Sequence, residues 1–335
     1  MTSLSRLLIA AALGLGAAGA VQAATLKIAT VAPDGTAWMR EMREVGDTIK
    51  TQTAGRVEIK YYPGGVMGDA ATVLRKIKIG QLQGGAFTGG EASIITRDAQ
   101  VYSLPFLFRD QAEIDQVRAR LDPMLKQQFA REGFELVGIS GGGFAYLMST
   151  RDITGRGDLK AAKVWVPQND RIAAMAFKAA GVTPIPLPLA DVYTGLQTGL
   201  IDTAENTPSG AIAFQWHTRL KYMVDLPLSY VVGELVIDKK AFDKLDEADR
   251  SLVNQAFAAG FARLDQLNRK DNAAAREALV AQGMHIVEPN ADERQSFEAI
   301  GQEVFNGLVA QDALSQEMRD ALARTLAEVR GERGK

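Results

Sequence analysis

The sequence predicts an α/β protein of two lobes that are joined by two long strands. The segment from Leu159 to Trp216 alternates strand and helix patterns, as parallel strands with helical crossovers do. Two long strand-like segments, 134–150 and 228–238, flank it and contain glycines at which a backbone can bend. A helix pattern without proline runs from Asp246 to Gln282. We expect the two strands to cross between the lobes as hinges, and the helix to span both lobes.

The composition excludes several classes of function. A chain of 335 residues that is 47% hydrophobic and 23% charged is typical of a soluble globular protein of about two domains. Its net charge of -2 provides no basic surface for nucleic acid. The absence of cysteine excludes disulfides, thiolate catalysis and cysteine-ligated metals. The sequence contains no cofactor fingerprint and no metal-ligand cluster, so we expect neither a cofactor nor a metal.

Residues 1–23 have the pattern of an export signal. Arg6 precedes the apolar run Leu7–Val21, and Val21-Gln22-Ala23 provides small residues for cleavage after Ala23. The alternative is a permanent membrane anchor, which the short run, rich in alanine and glycine, does not favour. We expect a mature protein in the periplasm of a Gram-negative cell.

The mature chain begins with a further α/β region. Gly84–Gly90 predicts a buried strand end with no room for side chains. A helical pattern over 110–131 is interrupted at Asp122-Pro123, where a new helix is expected to begin. The remaining predicted elements are strands at Leu26–Val31 and Arg56–Tyr62 and helices at Thr36–Thr53 and Ala70–Ile79.

The central segment reads as a parallel βαβαβ unit. Its predicted strands are Lys163–Val166, Thr183–Pro186 and Leu200–Ala204, and its helices are Arg171–Ala180 and Asp191–Thr198. Ligands meet such units at the carboxyl ends of the strands. Four residues lie at that edge and are candidates for binding a ligand: Trp165, Pro167, Glu205 and Asn206.

Each of these candidates also has a purely structural interpretation. Trp165 alternates with Val164 and Val166, so it lies either in the core or at the cleft. Asn206 precedes Thr207-Pro208 and is also suited to an Asx turn. Glu205 is interpreted as a lone carboxylate at the strand end, which favours a ligand contact or a helix cap over catalysis.

One motif suggests an enzyme instead. Gly138-Ile-Ser-Gly-Gly142 matches the nucleophile elbow of serine hydrolases and would make Ser140 the nucleophile. That motif requires a strand, a tight turn and then a helix, whereas Phe144–Met148 continues as a strand pattern. We therefore favour a glycine-rich hinge at this position and expect no enzymatic activity.

Several motifs resemble one family over essentially the whole mature chain. The most specific is Val192-Tyr-Thr-Gly-Leu-Gln-Thr-Gly199, followed by Asp202 and Glu205-Asn206. The chain resembles the extracytoplasmic solute-binding proteins of TRAP transporters, the DctP-like family. The other matching motifs are Ala32-Pro-Asp-Gly-Thr36, Tyr62-Pro-Gly-Gly65 with Met67-Gly-Asp69, and Leu104-Pro-Phe-Leu-Phe-Arg109.

The resemblance implies a two-lobed periplasmic binding protein of type II-like fold. Such a protein closes its lobes on a small-molecule solute and delivers it to the membrane subunits of a TRAP permease. Lobe I is expected to comprise residues 24–142 and 232–271, and lobe II residues 143–231 and 272–335. The alternatives are the serine hydrolase and a scaffold or sensor subunit that binds no solute.

Two departures from the family pattern concern the ligand. Family members usually have a carboxylate-binding arginine where this chain has Trp165, and a second frequent arginine corresponds to Ala145. A carboxylate buried without a cation would cost several kcal/mol, so we expect an apolar or neutral solute and not a dicarboxylate. The other residues expected to line the cleft are Phe87, Thr88, Phe144, Tyr146 and Tyr230.

Two further expectations follow from this variant site. A subset of TRAP binding proteins with apolar clefts works beside a periplasmic helix-repeat partner protein, and this chain is similar to that subset. Alternatively, the solute is a monocarboxylate held by another arginine, for which Arg97, Arg151 and Arg171 are the candidates.

Overall fold

The computed structural model describes residues 23–308 and 310–333, which form a two-lobed α/β fold as predicted. The predicted export signal, apart from Ala23, lies outside the described residues. None of the helices within the described ranges is both long enough and apolar enough to cross a bilayer.

The strands are β1 (Ala24–Thr30), β2 (Val57–Tyr62), β3 (Gly84–Thr88), β4 (Phe134–Ser149), β5 (Trp165–Pro167), β6 (Ile185–Leu187), β7 (Thr203–Asn206), β8 (Tyr222–Asp238) and β9 (His285–Val287). The helices are α1 (Ala37–Gln52), α2 (Ala70–Lys78), α3 (Gly89–Ala92), α4 (Gln111–Arg131), α5 (Arg156–Leu159), α6 (Arg171–Ala179), α7 (Val192–Thr198), α8 (Pro208–Ala213), α9 (Lys239–Phe242), α10 (Glu247–Ala281), α11 (Ala291–Gly307) and α12 (Gln316–Arg333).

One mixed sheet runs through the molecule. Its strand order is β2-β1-β3-β8-β4-β7, and β9 pairs with β8. The pairs β1–β2 and β1–β3 are parallel, whereas β8 is antiparallel to both β3 and β4. The first α/β region and the central segment therefore meet through the β4–β8 pair.

The two long strands exist as predicted and are antiparallel partners along their whole length. Their register runs from Phe134 opposite Asp238 to Ser149 opposite Tyr222. It shifts at Gly138 and again between Gly141 and Gly143, where glycines interrupt the ladder. An extra residue in one strand bends that strand, so these glycines place bends in β4 where it passes between the lobes.

The central βαβαβ unit is only partly as predicted. β5 and β6 pair in parallel, and a single parallel bridge joins Val164 to Thr203. The third strand, β7, instead joins the main sheet, antiparallel to β4. The bridge joins the amino-terminal ends of β5 and β7, and because the two segments run parallel, their carboxyl ends, which contain the candidate ligand-binding residues, lie side by side at the cavity.

Pro123 does not begin a new helix, contrary to expectation, because α4 runs through it without a break. The carboxylate of Asp122 is engaged elsewhere, since it accepts hydrogen bonds from the Tyr102 hydroxyl at 2.6 Å and from Arg118 Nε at 3.2 Å. Leu121 and Leu125, on either side of the proline, are fully buried. Burial of this apolar face outweighs the lost backbone hydrogen bond and keeps the helix continuous.

The 35 residues of α10 span roughly 50 Å and touch both lobes. Near its start, Val253 and Phe257 pack in the core formed with β1 and α1. Near its end, Leu279 packs in the core around Trp216. The predicted helix across both lobes is therefore present.

The last helix, α12, packs against α4. Arg330 contacts the buried carboxylate of Glu113 at 2.8 Å and the carbonyl of Leu107 at 2.7 Å. This contact associates the C-terminal helix with the first α/β region, whereas residues 272–335 were assigned to lobe II. The precise limits of the lobes remain a prediction.

We predict that Trp216→Ala lowers the free energy of unfolding by about 3–5 kcal/mol. Trp216 is fully buried and packs edge-to-face on Trp165, with their ring centroids 5.3 Å apart, so its removal leaves a cavity behind the wall that contains Trp165. Urea denaturation measures this loss. Leu200→Ala is the control, because Leu200 is 50% exposed and its truncation should change stability by at most about 0.5 kcal/mol. A loss below about 1 kcal/mol for Trp216→Ala would contradict this packing.

Candidate functional site

A cavity of about 660 Å³ lies between the two lobes. From the first region it is lined by the β1–α1 loop and the start of α3, and from the central segment by the ends of β5 and β7 and by α8. Two contacts cross beside it: Ser93 Oγ donates to the carbonyl of Asn169 at 2.9 Å, and the backbone N–H of Arg171 donates to Gln100 Oε1 at 3.2 Å. Of the nine predicted site residues, six line it: Thr88, Trp165, Pro167, Glu205, Asn206 and Tyr230.

Trp165 is both a core residue and part of the cavity wall. It is 3% exposed, and its indole N–H donates to the carbonyl of Leu187 at 3.0 Å. That hydrogen bond joins β5 to β6 and leaves only part of the indole ring for the cavity. The two alternatives for this residue, core and cleft, therefore both apply.

Asn206 and Glu205 end the strand β7 at the cavity. Asn206 Oδ1 accepts a hydrogen bond from the backbone N–H of Thr207 at 2.8 Å and lies against Gly210. Thr207 then caps α8, since its hydroxyl accepts from the backbone N–H of Gly210. The Asn206 oxygen thus stabilises the turn, while its amide group lies at the cavity lining and can donate to a ligand.

Phe87, Phe144 and Tyr146 do not line the cavity, contrary to expectation. Phe87 is 4% exposed and faces the core beneath β3. Phe144 packs edge-to-face on Tyr230 at 5.2 Å, and the ring of Tyr146 lies 5.7 Å from the guanidinium carbon of Arg276. Alternation along a strand shows which side chains share a face of the sheet. The sequence alone does not show which of the two faces lies in the core and which lines the cleft.

The sequence did not single out several side chains that line the cavity. Asp170 is one of them and is also the N-cap of α6, since its Oδ1 accepts from the backbone N–H of Ala173 at 2.8 Å. Its cap position brings it to the cleft, because α6 begins at the end of β5. The other lining side chains found only in the structure include Trp38, Arg40, Glu91, Ser103, Ser209, Phe214, Asn268 and Asp271.

Two of the lining carboxyl groups have strongly perturbed acidity. Burial, together with the nearby negative charge of Asp170, raises the pKa of Glu205 to about 8, against a hydrogen bond from Ser229 that lowers it. Burial also raises the pKa of Asp170 to about 6, against hydrogen bonds from the α6 backbone and Ser103 that lower it. In Glu91, burial raises the pKa although Thr88 donates to its carboxylate from both backbone and hydroxyl. Carboxyls with raised pKa values in a cleft are typical of functional sites.

None of the three arginines considered for a monocarboxylate lines the cavity. Arg97 pairs with Asp312, and with Arg171 it lines a separate surface pocket. Arg151 follows β4 and does not reach the cavity lining. Among the residues that the structure describes, Arg40 is the one basic side chain on the lining; it is exposed and donates to the carbonyl of Gly35 at 2.5 Å.

Ser140 does not form a nucleophile elbow. It is 2% exposed in the middle of β4, opposite Gly233, and no helix follows it. The two histidines have other contacts: His217 Nδ1 lies 3.2 Å from the carbonyl of Ala211, and the His285 ring lies on Tyr222. The ranges 23–308 and 310–333 contain no group of three or more side chains suited to hold a metal ion.

We predict that Glu205→Gln stabilises the ligand-free protein increasingly as the pH rises from 5 to 8. A carboxyl whose pKa is higher in the folded state than in the unfolded state opposes folding once the pH exceeds its unfolded value near 4.5. The difference in the free energy of unfolding between the variant and the wild type should grow by at most about 1.4 kcal/mol per pH unit. Urea denaturation at several pH values measures it.

The control for this prediction is Glu132→Gln, which removes an exposed carboxylate at the end of α4. Its stability should follow that of the wild type at every pH. If the stability of Glu205→Gln exceeds that of the wild type by the same amount at pH 5 and at pH 8, the raised pKa of Glu205 is contradicted.

Comparison with known proteins identifies the family. The model of the bacterial extracellular solute-binding protein family 7 (DctP) matches residues 28–312. A solute-binding protein of Verminephrobacter eiseniae is 26% identical over 261 residues, 75% of each chain. The 2,3-diketo-L-gulonate-binding periplasmic protein YiaO of Escherichia coli is 24% identical over 265 residues, 78% of this chain and 80% of YiaO.

A solved structure shares the fold. It is a TRAP periplasmic solute-binding protein from Xanthobacter autotrophicus Py2 with bound β-D-galacturonate; the TM-score is 0.83 at 24% identity, and the match covers 90% of this chain and 99% of that chain. Since the family model spans most of the sequence, and the cavity lies between two lobes joined by long strands, this chain belongs to the DctP family of bacterial extracellular solute-binding proteins.

Proposed function

We propose that this protein captures an apolar or neutral solute, and not a dicarboxylate, between its lobes. The observation that carries the proposal is the charge of the cavity: its inner wall contains Trp165, Asp170 and Glu205, and its single basic residue within the described ranges, Arg40, lies exposed at the rim. A buried carboxylate would meet like charge there and no guanidinium. Hinge closure at the bends of β4 would enclose the solute.

Ligands that carry a carboxylate occur among the relatives. The names of two of them give 2,3-diketo-L-gulonate and β-D-galacturonate as ligands, and both are sugar acids that carry a carboxylate. The same scaffold thus accommodates polar anions elsewhere in the family. The proposal for this chain rests on its own cavity, where Trp165 fills the wall and its N–H is already bonded to Leu187.

The family supports delivery of the bound solute to the membrane subunits of a TRAP permease. A periplasmic location accords with the relatives, which are periplasmic proteins, and with the predicted cleavage after Ala23. A periplasmic helix-repeat partner remains a prediction from the resemblance alone.

The absence of catalysis is part of the proposal. The relatives are solute-binding proteins, and Ser140 lies within a strand without a histidine beside it among the described residues. No observation favours the serine hydrolase or the scaffold without a solute, because the cavity between the lobes is large enough for a small molecule.

We predict that the solute retained by the protein after purification carries no carboxylate. Mass spectrometry of the small molecules released on denaturation identifies it. At about 100 times its Kd that compound should stabilise the protein by about 2.7 kcal/mol, whereas galacturonate and succinate at the same concentration should leave the melting temperature unchanged.

The control for this experiment is Gly210→Val, in which a side chain would collide with Asn206 at the entrance of α8 and disturb the lining. It should lose the retained compound while remaining folded by circular dichroism. A dicarboxylate or sugar acid recovered from the wild type would contradict the proposal about the ligand. It would leave membership of the family unaffected.

A further inference from the structure

The cavity has an imbalance of charge that the protein itself does not compensate. Its lining contains five carboxyl side chains and, among the described residues, one basic side chain, Arg40. Three of the five are engaged: Asp34 pairs with Arg43 at 2.6 Å, Glu91 accepts two hydrogen bonds from Thr88, and Asp170 accepts from the backbone N–H of Ala173 at 2.8 Å. The remaining two are Glu205 and Asp271.

Glu205 has the most unused capacity to accept hydrogen bonds at the inner wall. Within the described chain it receives one hydrogen bond, from Ser229 Oγ to Oε2, and at 3.4 Å this bond is long. No described residue donates a hydrogen bond to its Oε1. Asp170, in contrast, is held by the backbone of α6 and by Ser103. A carboxylate accepts about four hydrogen bonds, so Glu205 can bind further donors.

Among the described residues, Arg40 is the one basic side chain on the cavity lining, and it lies at the solvent-exposed rim, bonded to Gly35. The neighbouring charge that raises the pKa of Glu205 is the like charge of Asp170. Trp165 and Phe214 contribute aromatic surface to the same cavity. Aromatic faces attract cations as well as apolar groups, so this wall suits a positively charged group on an apolar body.

We propose that Glu205 is the specificity-determining residue of the cavity and that it accepts hydrogen bonds from a protonated nitrogen of the solute, an ammonium or an amidinium group. This inference rests on the proposed capture of a solute without a carboxylate between the lobes, and it replaces a wholly neutral solute by one that carries a positive charge at one end. The rest of the solute is apolar and lies against Trp165. The cation supplies the charge that the inner wall lacks, and Asp170 adds attraction at longer range.

Binding of such a cation is coupled to release of a proton. With a pKa of about 8, Glu205 is mostly protonated in the empty cavity at pH 7. A cation stabilises the carboxylate, so the proton leaves to the buffer as the cation binds, and affinity rises with pH until the pH exceeds 8. The other ionisable groups that line the cavity are Asp34, Arg40, Glu91, Asp170, Tyr230 and Asp271; among the acids, Asp170 (pKa about 6) ionises in the same direction at lower pH.

The experiment uses three planar probes of nearly the same shape: benzamidine, benzamide and benzoate. Isothermal titration of the whole mature protein, freed of retained ligand by unfolding and refolding, measures the Kd of each at pH 6, 7 and 8. We expect benzamidine to bind at least tenfold more tightly than benzamide, and benzoate to bind most weakly. The affinity for benzamidine should rise by up to about tenfold per pH unit, and its enthalpy should depend on the ionisation enthalpy of the buffer.

Two variants test the role of Glu205. Glu205→Gln keeps the shape of the side chain and should reduce the preference for benzamidine over benzamide to less than about threefold. It should also remove the pH dependence and the proton release between pH 7 and 8, where Asp170 is already ionised. Asp34→Asn removes a carboxylate from the rim of the same cavity and should retain the preference. Circular dichroism and the melting temperature establish that both variants are folded.

The outcomes separate this inference from the proposed function. Equal or tighter binding of benzamide or benzoate, or an undiminished preference in Glu205→Gln, would overturn the assignment of Glu205 while leaving a solute-binding protein. Failure of all three probes, together with no retained small molecule in the purified protein, would overturn the proposed function and this inference with it.

Discussion

The antiparallel pairing of β4 with β8 is the constraint on which the rest of the structure depends. These strands are the only elements of the main sheet that extend from the first region into the central segment within the described residues. Because their backbones pair along most of this length, the two lobes share a hydrogen-bonded ladder rather than a flexible linker. The register shifts at Gly138, between Gly141 and Gly143, and on both sides of Tyr146, and the bend at Gly141–Gly143 lies beside α10.

The long helix α10 holds this bend in place. Asp265 Oδ1 accepts from the backbone N–H of Gly141 at 2.5 Å, and Asn268 donates to the carbonyl of the same residue at 2.9 Å. Asn272 donates to the carbonyl of Gly142 at 2.6 Å, and its oxygen accepts from the hydroxyl of Ser209 at 2.8 Å. One helix therefore satisfies the backbone groups that the bulge leaves unpaired and connects them to the wall of the cavity.

The cavity combines a position between the lobes with a lining in which carboxyl groups outnumber basic groups. Its place between the lobes follows from the strand ends of β5 and β7, as in α/β proteins generally. Its chemistry follows from a few side chains: Trp165 contributes apolar wall, and Glu205 and Asp170 contribute acids whose burial raises their pKa values. A bound solute must therefore carry no negative charge beside those acids, or must carry a positive charge that pairs with them.

Most elements of the fold could be predicted because they depend on local signals. Thr36, Asp69 and Asp246 each cap the helix that follows them by accepting a backbone hydrogen bond, and glycines follow the ends of α2 and α7. Pro123 shows the limit of this approach: its local signal to interrupt a helix was overridden by the burial of Leu121 and Leu125. Tertiary packing outweighs propensity where the apolar face is continuous.

The sequence by itself determined the order of strands and helices, the long hinge strands, and the strand ends at which a ligand would be met, because these follow from periodicity and turn residues that act within a few positions. Only the tertiary structure decided which side chains face the cavity. It placed Phe87, Phe144 and Tyr146 elsewhere, and it brought Asp170 and Glu205, 35 positions apart, to one wall. Their charges interact through space and not along the chain, and their acidity depends on a burial that only the packed lobes create.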